Sequence, residues 1–184
     1  MGGKIEIKKV LVIGAGQMGG GIAQVFAQTG HEVLLNDSSV DSIKNRINFI
    51  DGLLTKSVTK GKITEEDKKN TLDNLKVCAD LEEAHDVDLV VEAIIENVEI
   101  KASVIKKLNG ILRDDVIFAT NTSSLPITEL AANYKKPENY IGMHFFNPVP
   151  VMKLVEVITG IATSKELAHH SSLEAITKDL LGGC

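Results

Sequence analysis

The spacing of apolar residues changes from stretch to stretch along this chain, and each spacing predicts an element. Apolar residues at 10–13 end on a glycine, as a strand buried on both faces does, and an apolar run with helical spacing fills 17–29. A second short strand reads at 32–36. Val40, Ile43, Ile47, Ile50 and Leu54 then recur every three or four residues, one face of an amphipathic helix. A break at Lys60-Gly61-Lys62 separates it from a shorter helix after Thr64, where Thr64 and Asp67 resemble a capping box with Asp in place of the usual Glu or Gln. Further on, strands are expected at 75–78 and 87–91, with a short helix at 81–85 between them. Ile100, Val104, Ile105 and Leu108 mark another helix, 116–119 a strand, and 127–134 a helix opened by Pro126. Strands at 140–144 and 154–158 follow, and from Ser164 the pattern is that of one helix running out at Leu181.

Strand and helix alternate through most of this order, which implies a doubly wound, mostly parallel α/β sheet with ligands outside the carboxyl ends of its strands. Two departures stand out. The helices between the second and third strands form an excursion longer than a plain crossover. At the far end, only the nine residues 145–153 separate the last two strands, and they include Pro148 and Pro150. A parallel crossover needs about a dozen residues or more, so these two strands are expected to run antiparallel.

The first strand and helix carry the clearest candidate chemistry. Gly14, Gly16 and Gly19 lie between and within them in G-x-G-x-x-G spacing. The first glycine of such a motif lets the strand turn sharply, the second lets bare backbone approach a pyrophosphate, and the third lets the helix pack close on the strand. The helix start, at Gln17 and Met18, then presents unpaired N–H groups and partial positive charge to the phosphates. Any glycine-rich strand-to-helix turn can mimic this motif. Here, however, the second strand ends on Asp37, 23 residues after Gly14. A carboxylate there accepts the hydroxyls of an adenine ribose and repels a 2′-phosphate, so the pattern reads as a Rossmann-type site for NAD in preference to NADP. Ser38 and Ser39 are able to hydrogen-bond such a phosphate, but no arginine is close in sequence to neutralise it.

Composition acts mainly by exclusion. With 184 residues, 43% apolar and 24% charged, the chain reads as one globular domain, neither disordered nor membrane-spanning. A net charge of −5 without a basic, aromatic-studded stripe argues against nucleic acid as a partner. Cys78 and Cys184 make neither a metal spacing nor a disulfide framework, so no metal is expected and both read as reduced thiols. The start, MGGKIEIKK, lacks a signal-like apolar core, so the expected compartment is the cytoplasm.

Glu156 breaks the apolar pattern of its strand, and a lone buried carboxylate there would need a partner. The neighbouring strand ends in His144, and an antiparallel turn can bring the two together. A carboxylate on one ring nitrogen fixes the tautomer and leaves the other nitrogen to abstract a proton. Pattern alone more commonly produces a strand-end histidine beside a solvent-facing glutamate. Asn121-Thr122-Ser123-Ser124 and Glu96-Asn97 also follow strand ends, on the ligand-facing edge, although such runs serve equally as turns and caps. His31, His85, His169 and His170 read as solvated.

Five segments, VIGAGQMGGGIAQVFAQTGHEV, KGKITEEDK, DLVVEAIIEN, ATNTSSLPITELA and GMHFFNPVPVMKLVEVI, closely resemble the NAD-binding domain of the short-chain 3-hydroxyacyl-CoA dehydrogenases, the bacterial 3-hydroxybutyryl-CoA members especially. The resemblance covers about 8–165. It implies that His144 is the general base on the 3-hydroxyl of an acyl-CoA substrate, that Glu156 orients it, and that Ser123 hydrogen-bonds the reacting oxygen. It places Glu96, Lys101, Asn121 and Asn147 around the nicotinamide end of NAD and Lys60 near the CoA phosphates. The family's CoA-contacting serine falls on Leu53. The implied reaction interconverts a short (3S)-3-hydroxyacyl-CoA and its 3-ketoacyl-CoA; a non-catalytic NAD-binding module is the alternative. Family members continue into a helical domain carrying the dimer interface and a further substrate contact. The expectation is therefore that 1–184 is the NAD-binding domain alone, poorly active and prone to self-association.

Overall fold

The computed structural model describes residues 6–152 and 154–169. Its strands are β1 (Lys9–Ile13), β2 (Glu32–Asn36), β3 (Leu75–Cys78), β4 (Leu89–Glu92), β5 (Ile117–Thr120), β6 (Tyr140–Phe145) and β7 (Val155–Thr159). They form one sheet in the order β3-β2-β1-β4-β5-β6-β7, parallel except for the antiparallel β6–β7 pair. The helices are α1 (Gln17–Gln28), α2 (Val40–Thr59), α3 (Glu65–Asp73), α4 (Val98–Asn109), α5 (Ile127–Ala131) and α6 (Lys165–Ala168). This is the doubly wound, mostly parallel Rossmann-type architecture, with the helical excursion α2–α3 after the second strand and an antiparallel end.

Side chains alternate across the sheet and build a core on each face. Val10 and Val12 pack with Ile22 and Phe26 of α1 and Ile43, Ile50 and Leu54 of α2. Leu11 and Ile13 point the other way, toward Ile105 and Leu108 of α4 and Leu130 of α5. The Thr64 capping box is complete: Asp67 N donates to Thr64 Oγ1 at 3.0 Å and Thr64 N to Asp67 Oδ2 at 2.9 Å. Aspartate, one methylene shorter than glutamate, still spans this turn.

Several boundaries differ from the sequence reading. Val87 closes a 3-10 turn over Leu81–Ala84, through Val87 N to Ala84 O at 3.2 Å, so β4 starts later and extends to Glu92. Helix α5 stops at Ala131, and Pro126 is its N-cap residue instead of lying in its first turn. Of the helix expected from Ser164, only α6 falls in the described residues; the rest of it, with His170 and Cys184, lies outside them. His31 is half-buried rather than solvated, its ring edge-on to Phe26 at 5.3 Å, while His85 and His169 are exposed. Cys78 is a buried thiol donating to Asp80 O at 3.2 Å; burial foremost pushes its pKa up to about 11, so it is protonated at neutral pH. Among the described residues no helix is long and apolar enough to cross a membrane.

Candidate active site

The strand order reverses between β1 and β4, and a crevice opens there at the carboxyl ends of the strands. Gly14 leaves β1 at φ 109°, its N–H donating to Asn36 O at 2.8 Å. A Cβ on Gly14 would lie 2.5 Å from Ala93 O, and one on Gly19 only 1.7 Å from Gly14 O, so loop, β4 end and helix meet at bare backbone. Gly16 differs: nothing lies within 4 Å of where its Cβ would be. It caps α1 with no side-chain hydrogen bond, so the first-turn N–H groups beside Gln17 and Met18 face that open space. At the other end of the loop Asp37 Oδ2 accepts from Ala15 N at 2.8 Å, and Oδ1 from Ser39 N and the Ser38 hydroxyl, both at 3.2 Å. An uncapped helix start and a carboxylate one strand away fit the diphosphate and ribose of a dinucleotide.

A cleft of about 350 Å³ runs along the strand ends from Met18 in the first turn of α1, past Glu96, to Asn121, Ser123, His144 and Asn147. His144 lies near the end of β6 and is 23% exposed, and the antiparallel register sets Glu156 of β7 directly across from it. His144 Nδ1 stands 3.6 Å from Glu156 Oε2, slightly too long for a hydrogen bond. Glu156 is not buried as the apolar pattern suggested: β7 is the sheet edge, and the Glu156 side chain is 55% exposed. Phe146 packs on the imidazole with ring centroids 4.6 Å apart. Asn121 Oδ1 accepts from Phe145 N at 2.9 Å, tying the end of β5 to the end of β6. Ser123 and Asn147 are exposed on the cleft wall.

Glu96 is the wall's carboxylate. It accepts from the Thr122 hydroxyl at 2.6 Å and the Ser124 hydroxyl at 3.0 Å, and its other oxygen lies 3.3 Å from Lys101 Nζ. Partial burial opposes its ionisation, but the Thr122 bond, the charge of Lys101 and the Ser124 bond outweigh that and hold the carboxyl below its usual range. Lys101 itself does not line the cleft. It is fully buried behind the wall and paired with Glu92 at 2.5 Å, also fully buried. Glu92 further accepts from Thr120 Oγ1 at 2.8 Å and Ile94 N at 2.9 Å. The sequence reading missed Glu92. A signal was present, because Lys101 lies on one helix stripe with Ile105 and Leu108, and a lysine there needs an acidic partner. Lys60, exposed at the end of α2, is not among the residues lining the cleft.

A family model described as 3-hydroxyacyl-CoA dehydrogenase, NAD binding domain, matches residues 9–178. The chain belongs to the 3-hydroxyacyl-CoA dehydrogenase family. Its NAD-binding domain is 48% identical over 157 residues to a 3-hydroxybutyryl-CoA dehydrogenase of Clostridioides difficile, covering 85% of this chain and 56% of that protein. A probable 3-hydroxybutyryl-CoA dehydrogenase of Bacillus subtilis is 47% identical over 164 residues, 89% of this chain and 57% of the relative. The crystal structure of 3-hydroxybutyryl-CoA dehydrogenase from Escherichia coli superposes with a TM-score of 0.92 at 42% identity, over 95% of this chain and 37% of that one. The chain thus spans about half the length of the curated relatives it matches.

Proposed function

We propose that this domain supplies the NAD site and the acid–base pair for interconverting a short (3S)-3-hydroxyacyl-CoA, of the 3-hydroxybutyryl class, with its 3-ketoacyl-CoA. The observation that carries the reading is the cross-strand pairing of Glu156 with His144, which lines the cleft that reaches Met18 in the first turn of α1. In the oxidative direction His144 takes the proton of the 3-hydroxyl on Nε2, since Nδ1 faces Glu156, and the Glu156 carboxylate stabilises the imidazolium that results. Ser123 donates a hydrogen bond to the same substrate oxygen. The first turn of α1 holds the cofactor diphosphate and Asp37 the adenine ribose, while Glu96, Asn121 and Asn147 line its nicotinamide end. Lys101 acts on the site through Glu96. Lys60 is assigned to the CoA phosphates. NAD, when bound, supplies the acceptor for the hydrogen that leaves C3.

His144→Ala should lower acetoacetyl-CoA reduction by about two to four orders of magnitude, the range for a positioned acid–base group, with NADH affinity unchanged. Equal rates for variant and parent would overturn the assignment and leave a nucleotide-binding module. Exposed apolar side chains lie along and beside β7 on both faces of this edge strand, Val151, Leu154, Val157, Ile158 and Ile161 among them, and such exposure is of the kind that gathers a partner. Self-association of the purified chain, read by light scattering, is the expected outcome; a monomer at all concentrations would contradict it.

A further inference from the structure

Three consecutive glycines, Gly19 to Gly21, each meet a different neighbour, and the middle one points to a residue with no role so far. Gly19 clears the Gly14 carbonyl, and a Cβ on Gly21 would lie 2.9 Å from Val149 Cβ. A Cβ on Gly20 would lie 2.3 Å from Arg46 Cδ and 2.7 Å from its Cγ. The stem of Arg46 therefore crosses from α2 over the first turn of α1, in a trough that glycine leaves open. The head is fixed on both sides: Nε donates to Ala15 O at 3.1 Å, and Cζ stands 4.9 Å from the Phe49 ring centroid, a cation–π contact. Among the described residues its terminal N–H groups meet no protein acceptor, and no carboxylate oxygen lies within 4.0 Å of the guanidinium.

Ala15 is also the residue whose N–H donates to Asp37. The carboxylate placed to read the ribose and this uncompensated guanidinium are thus held by the two ends of one residue. A guanidinium presents paired N–H donors that match a phosphate ester, and it keeps its charge at any working pH. We propose that Arg46 is a phosphate ligand on the adenosine side, offsetting Asp37 so that the domain accepts a 2′-phosphorylated adenosine cofactor as well as NAD, with only a modest preference for NAD. No arginine is close to Asp37 in sequence, but α2 carries Arg46, nine residues on, back over the loop to Ala15. The inference rests on the reading of the glycine loop as a dinucleotide site.

Calorimetric titration of the purified chain with NADH and with NADPH, which differ only by the 2′-phosphate, tests it without relying on turnover. NADPH should bind the parent within about tenfold of NADH. Arg46→Ala should weaken NADPH about 10- to 100-fold, the size of a lost charge-assisted hydrogen bond, and NADH less than about threefold. Arg46→Lys, which keeps the charge, should fall between. A parent that rejects NADPH by about a thousandfold overturns the proposal with no variant needed, as does an Arg46→Ala loss equal for both ligands. Failure of NADH itself to bind would remove the dinucleotide reading as well, whereas either of the other two outcomes removes Arg46 alone.

Discussion

A carboxylate buried as completely as Glu92 persists only because its oxygens are occupied, Oε1 by Thr120 and Oε2 by Lys101 and the Ile94 amide. Removing one member of such a pair leaves an uncompensated charge in the interior and typically costs about 3–5 kcal/mol, whereas replacing both with apolar or neutral groups is often nearly neutral. Lys101→Met should therefore lower stability by that order in urea unfolding, and Glu92→Gln combined with Lys101→Met should recover most of it. A Lys101→Met protein as stable as the parent would show that the pair anchors nothing. Glu156 lies at the opposite extreme, on an exposed edge, so Glu156→Gln should leave stability nearly unchanged. It should lower turnover roughly tenfold or more, because the imidazolium loses its counter-charge. A drop in melting temperature with unchanged turnover would reverse the assigned role. The two carboxylates also mark what a residue pattern can carry. Glu156 was conspicuous as a charge in an apolar strand, yet its exposure depended on β7 being the edge. Glu92 sat at the end of an apolar run, and its sequence signal was indirect: Lys101 on the buried stripe of α4 called for an acidic partner, and the fold supplied which one.

The glycine turn sets the finest tolerance among the elements. Gly16→Ala meets nothing within 4 Å and its φ of −76° suits any residue, so the fold should survive with its melting temperature intact. The added methyl projects into the space assigned to the diphosphate, and NADH binding should weaken at least about tenfold. Gly19→Ala places its methyl 1.7 Å from the Gly14 carbonyl, so it should destabilise the fold first and binding with it. If both variants lose stability equally, Gly16 is a structural glycine like its neighbour. Element order, parallel pairing and the antiparallel end were legible because each rests on local spacing: period two or helical period within a segment, and loop length between segments. Boundaries slipped where a tertiary contact decided them. Val87 looks like a strand residue but closes the 3-10 turn. Of the four apolar residues that marked α4, Ile105 and Leu108 are buried, together with Lys101, while Ile100 is left 44% exposed. Arg46 escaped notice for the same reason, since only the packing of α2 on α1 brings it to Ala15.

At the scale of the whole molecule, Asp88 joins three segments that are far apart in sequence. Its Oδ2 accepts from Lys8 N at 2.9 Å and Lys9 N at 3.0 Å at the start of β1, and its Oδ1 from Arg113 at 3.0 Å between α4 and β5. Burial works against its ionisation, but the two backbone bonds and the Arg113 guanidinium prevail and hold its carboxyl below the usual range. A group whose folded pKa is depressed contributes stability above its unfolded pKa and loses it as pH falls through the folded value. For an aspartate that places the loss below about pH 4–5. The parent should thus keep this contribution from neutrality down to about pH 5 and lose it on further acidification. Asp88→Asn should be less stable at pH 7, decline less steeply below pH 5, and converge on the parent at the lowest pH, where both side chains are neutral. Other carboxylates titrate in the same range, Glu96 among them with its own depressed value, but they are common to both proteins and cancel in the difference. Urea unfolding at intervals from pH 7 to 3 measures that difference directly. Parallel curves, with a gap independent of pH, would mean that Asp88 holds the three segments through its shape and hydrogen bonds, with its charge contributing nothing.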